Sequence, residues 1–155
     1  MVQICKCVKL PEKPLLGFVD NDTFKVYYSD VGIFKRIVNN DTKTILLNDM
    51  KIYKGIIMKN YVANQLKSNK VDLLYWQGSR ESEVDFLIST PNEGIIQIEV
   101  KADVNTQSKS LNVYNNLYSP KYMIRISAKD FEYNSISKIK SIPLYATFLI
   151  KNLTK

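Results

Sequence analysis

Two neighbouring segments of the chain, residues 83–89 and 95–102, have the composition and alternation of β-strands. The first reads EVDFLIS and the second reads IIQIEVKA. Between them, the residues PNEG at 91–94 are typical of a tight turn. We therefore predict a β-hairpin, and this pair of strands constrains the fold more than any other feature of the sequence.

The alternation within this hairpin predicts which side chains share a face of the sheet, because successive residues of a strand point to opposite sides. The predicted polar face carries Glu83, Asp85, Leu87, Gln97, Glu99 and Lys101. The predicted apolar face carries Val84, Phe86, Ile88, Ile96, Ile98 and Val100. Two carboxylates and an amine, those of Asp85, Glu99 and Lys101, are thus expected on one patch.

Carboxylates as close as those expected for Asp85 and Glu99 repel each other unless positive charge lies between them. A divalent cation that prefers oxygen ligands, Mg²⁺ or Mn²⁺, supplies that charge, and so does a lysine. Lys101 can stabilise charge on a phosphate or orient an attacking water, as metal-assisted phosphodiester hydrolysis requires. The simpler interpretation is that these side chains form the solvent face of an antiparallel hairpin.

The chain has no histidine among its 155 residues, and this absence restricts its chemistry. It excludes Ser-His-Asp and Cys-His nucleophile systems and an HExxH zinc site. The only cysteines, Cys5 and Cys7, alternate along a predicted strand and are badly placed for a mutual disulfide, which indicates a reducing compartment. We expect them to be buried or edge residues of that strand.

Length and charge set the remaining limits. A chain of 155 residues suits one domain, and no apolar run reaches the roughly 18 residues of a membrane helix. We therefore expect a cytoplasmic protein with no membrane partner. The net charge of +7 favours a polyanionic partner such as nucleic acid, although scattered lysines also suit an ordinary solvated surface.

Together with the hairpin, the residue patterns along the chain predict a helix, three strands, a second helix and further strands. In residues 48–155 we predict a helix at 48–68, strands at 71–76, 83–89, 95–102 and 121–127, a helix from 108 or 110 to 117, and a last strand or short buried segment at 141–150. Residues 1–47 are predicted to be a small extension packed on this core, with strands at 3–8 and 24–30 and a short helix at 31–38.

Asp85, followed by Glu99-Val100-Lys101 and flanked by helices, is similar to the core motif of the PD-(D/E)xK nuclease-like superfamily. Six blocks occur in order: FKVYYSDVGIF (24–34), KGIIMKNYVANQL (54–66), LLYWQGSRESEVDFLI (73–88), IIQIEVKA (95–102), SKSLNVYNNLYSPKYMIRIS (108–127) and IPLYA (142–146). Together they resemble the nuclease-like domain of unknown function found at the C-terminus of many prokaryotic AAA-type ATPases.

This resemblance implies an α/β fold with a restriction-endonuclease-like core of α-β-β-β-α-β order, in which helices flank a mixed central sheet. It also implies that Asp85, Glu99 and Lys101 are catalytic, with Asp85 and Glu99 as ligands for Mg²⁺ or Mn²⁺. If active, the domain would be a metal-dependent nuclease. No GxxxxGK[ST] phosphate loop occurs, so we expect no ATP site and no ATPase activity in this chain.

The first core helix departs from the family pattern, which resembles G-x-x-x-E-x-x-V with the Glu facing the metal. Lys59 stands at the position of that Glu, and it shares a helix face with Gly55 and Val62. Its ammonium would compete with a divalent cation, or its side chain could extend along the surface into water. Either arrangement removes a carboxylate ligand, for which Glu83 or Gln97 is the secondary candidate.

Two functions follow as expectations. The first is a nuclease-fold domain that binds nucleic acid or its ATPase partner, with weakened or lost Mg²⁺-dependent phosphodiester hydrolysis. The second is a catalytically inactive interaction or structural module with no nucleic-acid role, as the 10 Tyr, 6 Phe and single Trp would allow. Pairing of exposed strands between copies would give a homo-oligomer.

Overall fold

The computed structural model describes residues 1–37, 53–78, 82–102 and 109–153. In these residues the strands are β1 (Val2–Val8), β2 (Val19–Tyr28), β3 (Leu74–Gln77), β4 (Glu83–Thr90), β5 (Gly94–Val100), β6 (Met123–Ser127), β7 (Glu132–Asn134) and β8 (Ile139–Pro143). The helices are α1 (Val31–Ile37), α2 (Tyr53–Ser68), α3 (Lys109–Tyr118) and α4 (Ile150–Leu153), with 3₁₀ turns at Leu15–Phe18 and Leu144–Leu149.

All of these strands belong to one sheet, in the order β2-β1-β3-β4-β5-β6-β8-β7. Four neighbouring pairs are antiparallel, β1–β2, β3–β4, β4–β5 and β7–β8. Three are parallel, β1–β3, β5–β6 and β6–β8. Helix α3 makes the crossover that the parallel β5–β6 pair requires. The fold is therefore mixed α/β with helices flanking the sheet, as the sequence predicted at that level.

The predicted hairpin is confirmed, with Phe86 opposite Ile98 and Leu87 opposite Gln97. The Thr90 hydroxyl fixes its turn, because it accepts a bond from the Glu93 N–H and donates one to the Gly94 carbonyl, each at 3.1 Å. Gly94 has a φ of 82°, a value that glycine adopts without a steric penalty. The PNEG segment thus ends in the residue type that its backbone requires.

Most other predicted elements agree to within a few residues. Helix α2 covers the predicted helix from Tyr53 onward, and its predicted start at residue 48 lies outside the described residues. The segment 141–150, predicted as a last strand or a short buried segment, is a strand only to Pro143, which has no N–H to donate to a ladder, and a partly buried 3₁₀ turn follows. Strand β7 is an addition that the sequence analysis did not predict.

The two strands of residues 1–47 form one edge of the sheet itself. β1 pairs with β3 in parallel, and β2 is the outermost strand on that side. Cys5 and Cys7 of β1 are buried free thiols, as predicted for that strand. The proposed boundary between residues 47 and 48 stays a prediction.

Apolar side chains form two core clusters, one on each side of the sheet. The first cluster packs under α2 and contains Phe86, Ile88, Ile96, Ile98, Val100, Val62 and Leu66. The second packs under α3 and contains Leu74, Trp76, Val84, Leu87, Leu111 and Tyr114. Trp76 and Tyr114 meet edge to face, with ring centroids 5.1 Å apart. These clusters fix α2 and α3 on opposite sides of the β4–β5 hairpin.

A buried amide joins α2 to the outer strand. The Asn60 Oδ1 accepts a bond from the Tyr28 N–H at 2.7 Å, and the Asn60 Nδ2 donates to the Tyr28 carbonyl at 2.9 Å. The side chain thus pairs with both backbone groups of one residue, as a neighbouring strand would. The orientation of α2 over the sheet is set partly by this contact.

We expect Asn60→Ala to lower the free energy of unfolding by about 2 to 3 kcal/mol, because two partly buried backbone groups of Tyr28 lose their partners. Urea denaturation followed by circular dichroism measures the change. The matched control is Asn112→Ala, an exposed position of α3, which should shift stability by less than about 0.5 kcal/mol. Equal effects of the two variants would contradict the role assigned to Asn60.

Candidate functional site

A β-bulge sets the position of Asp85 in β4. Leu74 of β3 lies opposite Leu87, whereas Trp76, two residues later, lies opposite Val84, so β4 has one residue more than its partner over this stretch. Val84 and Leu87 consequently pack in the same core cluster, the second. The predicted alternation, which put these two residues on opposite faces, is wrong here because the bulge adds a residue.

The Asp85 carboxylate is almost completely buried, with 4% of the residue exposed. Its Oδ2 accepts a hydrogen bond from the Val100 N–H at 2.8 Å. Val100 is the last residue of β5 and stands between Glu99 and Lys101. The bond therefore joins Asp85 to the segment that carries the other two predicted catalytic residues.

Lys59 of α2 neutralises this carboxylate. Its Nζ lies 2.6 Å from the Asp85 Oδ1, and the side chain is 34% exposed. Helix α2 packs on the sheet through Val62 and Leu66, and the same face directs Lys59 to the bulge. Of the two arrangements considered from the sequence, the ammonium beside the acid is the one observed.

Opposing influences act on the pKa of Lys59. Burial is the largest and lowers the pKa, because it disfavours the charged amine. The nearby carboxylate of Asp85, through its charge and its hydrogen bond, and those of Glu83 and Glu99 raise it. Together the acids prevail, so the pKa of Lys59 lies above its ordinary value and the amine is charged at neutral pH.

Glu99 forms a second ion pair near the end of β5. Its Oε1 lies 2.8 Å from the Lys101 Nζ, and the residue is 5% exposed. Its Oε2 is buried and has no hydrogen-bond partner among the described residues. Asp85 is therefore paired with Lys59 of α2, and Glu99 is paired with Lys101, which directly follows β5.

Arg125 of β6 is a site neighbour that sequence reasoning missed. It lies directly opposite Glu99 in the parallel β5–β6 ladder, and its Nε is buried without a hydrogen-bond partner among the described residues. Burial lowers the pKa of Arg125, which the charges of Glu99 and Glu132 partly offset. A single charged residue within the otherwise largely apolar strand MIRIS is the sequence feature that could have identified Arg125.

The secondary candidates have polar partners of their own. Glu83 pairs with Lys25 of β2, whose ammonium also lies 4.3 Å from the centre of the Tyr75 ring. Gln97 donates from its Nε2 to the Ile95 carbonyl at 3.0 Å. Sequence reasoning missed Lys25, because the β1–β2 edge was not expected to reach the strand that carries Asp85.

The carboxylate oxygens of Asp85 and Glu99 are not free to act as ligands for a divalent cation. Three of the four carboxylate oxygens of Asp85 and Glu99 already contact an ammonium or an N–H group. Among the described residues, no group of three acidic or thiol side chains is placed to hold a metal ion. Mg²⁺ requires near-octahedral oxygen coordination, and here Lys59 neutralises the acid that would provide it.

A family model matches residues 54–145, more than half of the chain. Its description is DUF4143, a domain of unknown function. Searches of curated proteins and of solved structures found no significant match to the chain. Across the part of the chain that the structure describes, no helix is long and apolar enough to cross a membrane.

Lys59→Met leaves the buried Asp85 carboxylate without its counter-charge. We expect it to lower the free energy of unfolding by about 2 kcal/mol at pH 7, less than for a fully buried pair because Lys59 is partly exposed. Since the pKa of Lys59 is raised, the loss should stay constant from about pH 7 to 9 and shrink only at more alkaline pH. Urea titrations of both proteins at each pH measure it.

The matched control for this variant is Lys121→Met, which breaks a more exposed ion pair with Glu93. Lys121→Met should lower the free energy of unfolding by less than about 0.5 kcal/mol. The double variant Lys59→Met/Asp85→Asn should recover most of the lost stability, because an amide needs no counter-charge. Failure of Asp85→Asn to rescue stability would show that the ion pair is not the cause.

Proposed function

Because the chain belongs to the family described as DUF4143, we propose that it is a nucleic-acid-binding domain with a PD-(D/E)xK nuclease-like core whose metal site is closed by Lys59. The order of elements supports this proposal. Helix α2, strands β3 to β5, helix α3 and strand β6 follow one another as such a core requires. The hairpin presents Asp85, Glu99 and Lys101 at the end of the sheet where β5 ends.

The Lys59–Asp85 ion pair is the observation that carries the proposal. An ammonium satisfies the same carboxylate that a divalent cation would bind, and it repels a second cation. Hydrolysis of phosphodiesters in this superfamily depends on that cation, so we propose that hydrolysis here is weak or absent. Binding of nucleic acid without hydrolysis is then the activity that we propose for the domain.

The charge around the site favours a phosphate ligand. The lysines that neutralise Asp85 and Glu99 each keep about a third of their side chain in solvent. Arg125 adds a third cation next to Glu99. The acids that these lysines pair with are almost completely buried, so the solvent side of the two ion pairs is positive, in keeping with the net charge of +7. A nucleic acid backbone is the polyanion that such a patch would attract.

A protein partner is the second candidate function. Ile4, Phe24 and Val26 on the edge hairpin β1–β2 are each at least half exposed. An apolar surface on an edge strand favours contact with another protein domain. By the resemblance to domains attached to AAA-type ATPases, an ATPase module is the partner that we propose for it. In that case the domain is an inactive interaction module.

Restoring the missing acid tests the closed-site proposal. We expect wild type to cut single- and double-stranded DNA weakly or not at all with Mn²⁺, and Lys59→Glu to raise the rate at least about tenfold, because a third carboxylate then meets Asp85 and Glu99. Lys59→Glu/Asp85→Ala is the control and should lose the gain. Strong wild-type cutting that Asp85→Ala abolishes would overturn the closed-site proposal.

Salt dependence separates nucleic-acid binding from the interaction module. With about three phosphates contacted, affinity for a DNA duplex should fall roughly 40-fold between 50 and 200 mM salt. Lys101→Gln should reduce the log–log salt slope by about one, because it removes one phosphate contact. The control Lys67→Gln, at the exposed end of α2, should leave it unchanged. Absence of binding at low salt would favour the interaction module.

A further inference from the structure

A separate cavity of about 320 Å³ lies between the β4–β5 turn and the C-terminal end of α3. Its wall includes Lys13, Gln97, Tyr114, Tyr118, Pro120 and Lys121. The volume is at the lower end of the range for cavities that hold small molecules. None of Lys59, Asp85, Glu99 or Lys101 lines it, so the cavity is distinct from the site described above.

Gln97 provides a buried acceptor at this cavity. The residue is only 1% exposed. Its Nε2 donates to the Ile95 carbonyl at 3.0 Å, and the same amide forms a hydrogen bond with the Tyr114 side chain. The Oε1 has no hydrogen-bond partner among the described residues. Since a buried acceptor without a donor is unfavourable, a ligand that brings an N–H group would be stabilised there.

Tyr118 provides a flat wall. Its ring is half-buried and is held by two aromatic neighbours, with its centroid 4.7 Å from that of Tyr114 and 5.7 Å from that of Trp76. A ring fixed in this way can receive a planar group by offset stacking with little loss of side-chain freedom. Flat heterocycles with N–H groups therefore match both Tyr118 and Gln97.

The rim of the cavity is positively charged. Lys13 and Lys121 both line the cavity, and the β4–β5 turn holds their ammonium groups, because Lys13 donates to the Thr90 carbonyl and Lys121 to the Asn92 carbonyl at 3.2 Å. Lys121 also pairs with Glu93 at 3.4 Å, while most of its side chain stays in solvent. Two lysines against one acid leave one excess positive charge, which favours an anionic group on the ligand.

From these contacts we propose that the cavity binds a nucleoside monophosphate unit. The base stacks on Tyr118 and donates an N–H to the Gln97 Oε1, and the phosphate lies between Lys13 and Lys121. All common bases carry an N–H donor, so the geometry selects a nucleotide without selecting one base. The same chemistry occurs in a free nucleotide and at the phosphorylated end of a strand. The inference does not depend on the function of the Asp85 site.

The test titrates the full chain with AMP, GMP, CMP and UMP, and with the corresponding nucleosides, by calorimetry and by NMR shifts. Binding is expected, with shifts confined to residues 11–13, 93–97 and 114–121. Lys121→Ala should weaken binding about 5-fold for the nucleotides and leave the weaker binding of nucleosides unchanged, because only the phosphate loses a contact. Gln97→Leu, of similar size, should weaken both about tenfold.

Lys67→Ala is the matched control, since it removes an exposed lysine of α2 that does not line the cavity, and it should leave nucleotide binding unchanged. A 5′-phosphorylated dinucleotide that binds as tightly as the monophosphates identifies a strand end as an accepted source, and one that fails to bind restricts the ligand to free nucleotides. If Gln97→Leu does not fold, Lys121→Ala decides alone. No binding at millimolar nucleotide, or equal binding by wild type and Lys121→Ala, would overturn the proposal.

Discussion

The buried carboxylate of Asp85 is the constraint on which the site depends. A charge removed from water must be met by donors, and here Lys59 of α2 and the Val100 N–H of β5 meet it. The first donor ties a helix to the sheet, and the second ties two strands together at their ends. Glu99 and Lys101 lie on either side of Val100, at the end of β5. The bulge in β4 is what brings the carboxylate within reach of both donors.

A lysine and a divalent cation are alternative solutions to this constraint, with different consequences. A cation supplied from solution leaves coordination positions for water and substrate, whereas an ammonium tethered to α2 is always present and has no open position for a nucleophile. Under the proposed function, the chain keeps the acids that metal-dependent hydrolysis would need, and the Lys59 ion pair makes Asp85 part of the buried structure. What remains open to solvent is the positive end of two ion pairs.

Much of this arrangement could be predicted from sequence, because it follows from periodicity and from local turn chemistry. The hairpin, α2 and the strand-end position of Glu99 and Lys101 belong to this part. The bulge at Asp85 could not be predicted, since it appears only in the register between β3 and β4, and the polar sequence that joins them carries no register signal. The roles of Asn60 and Arg125 depend on neighbours distant in sequence, and the three exposed residues of β7 carry no pattern.

The contact of Asn60 with Tyr28 also bears on how far the sheet can extend. The Ser29 N–H donates to the Met1 carbonyl, so the neighbouring Tyr28 N–H and carbonyl point away from β1, toward the open side of the outermost strand. Asn60 occupies both groups. A ninth strand arriving from another molecule would find these positions already taken, and its pairing would have to stop short of the end of β2. Within the part of the chain that the structure describes, the helix thus limits sheet growth at this end of β2, whereas Asn21 and Asp22 at the other end are exposed.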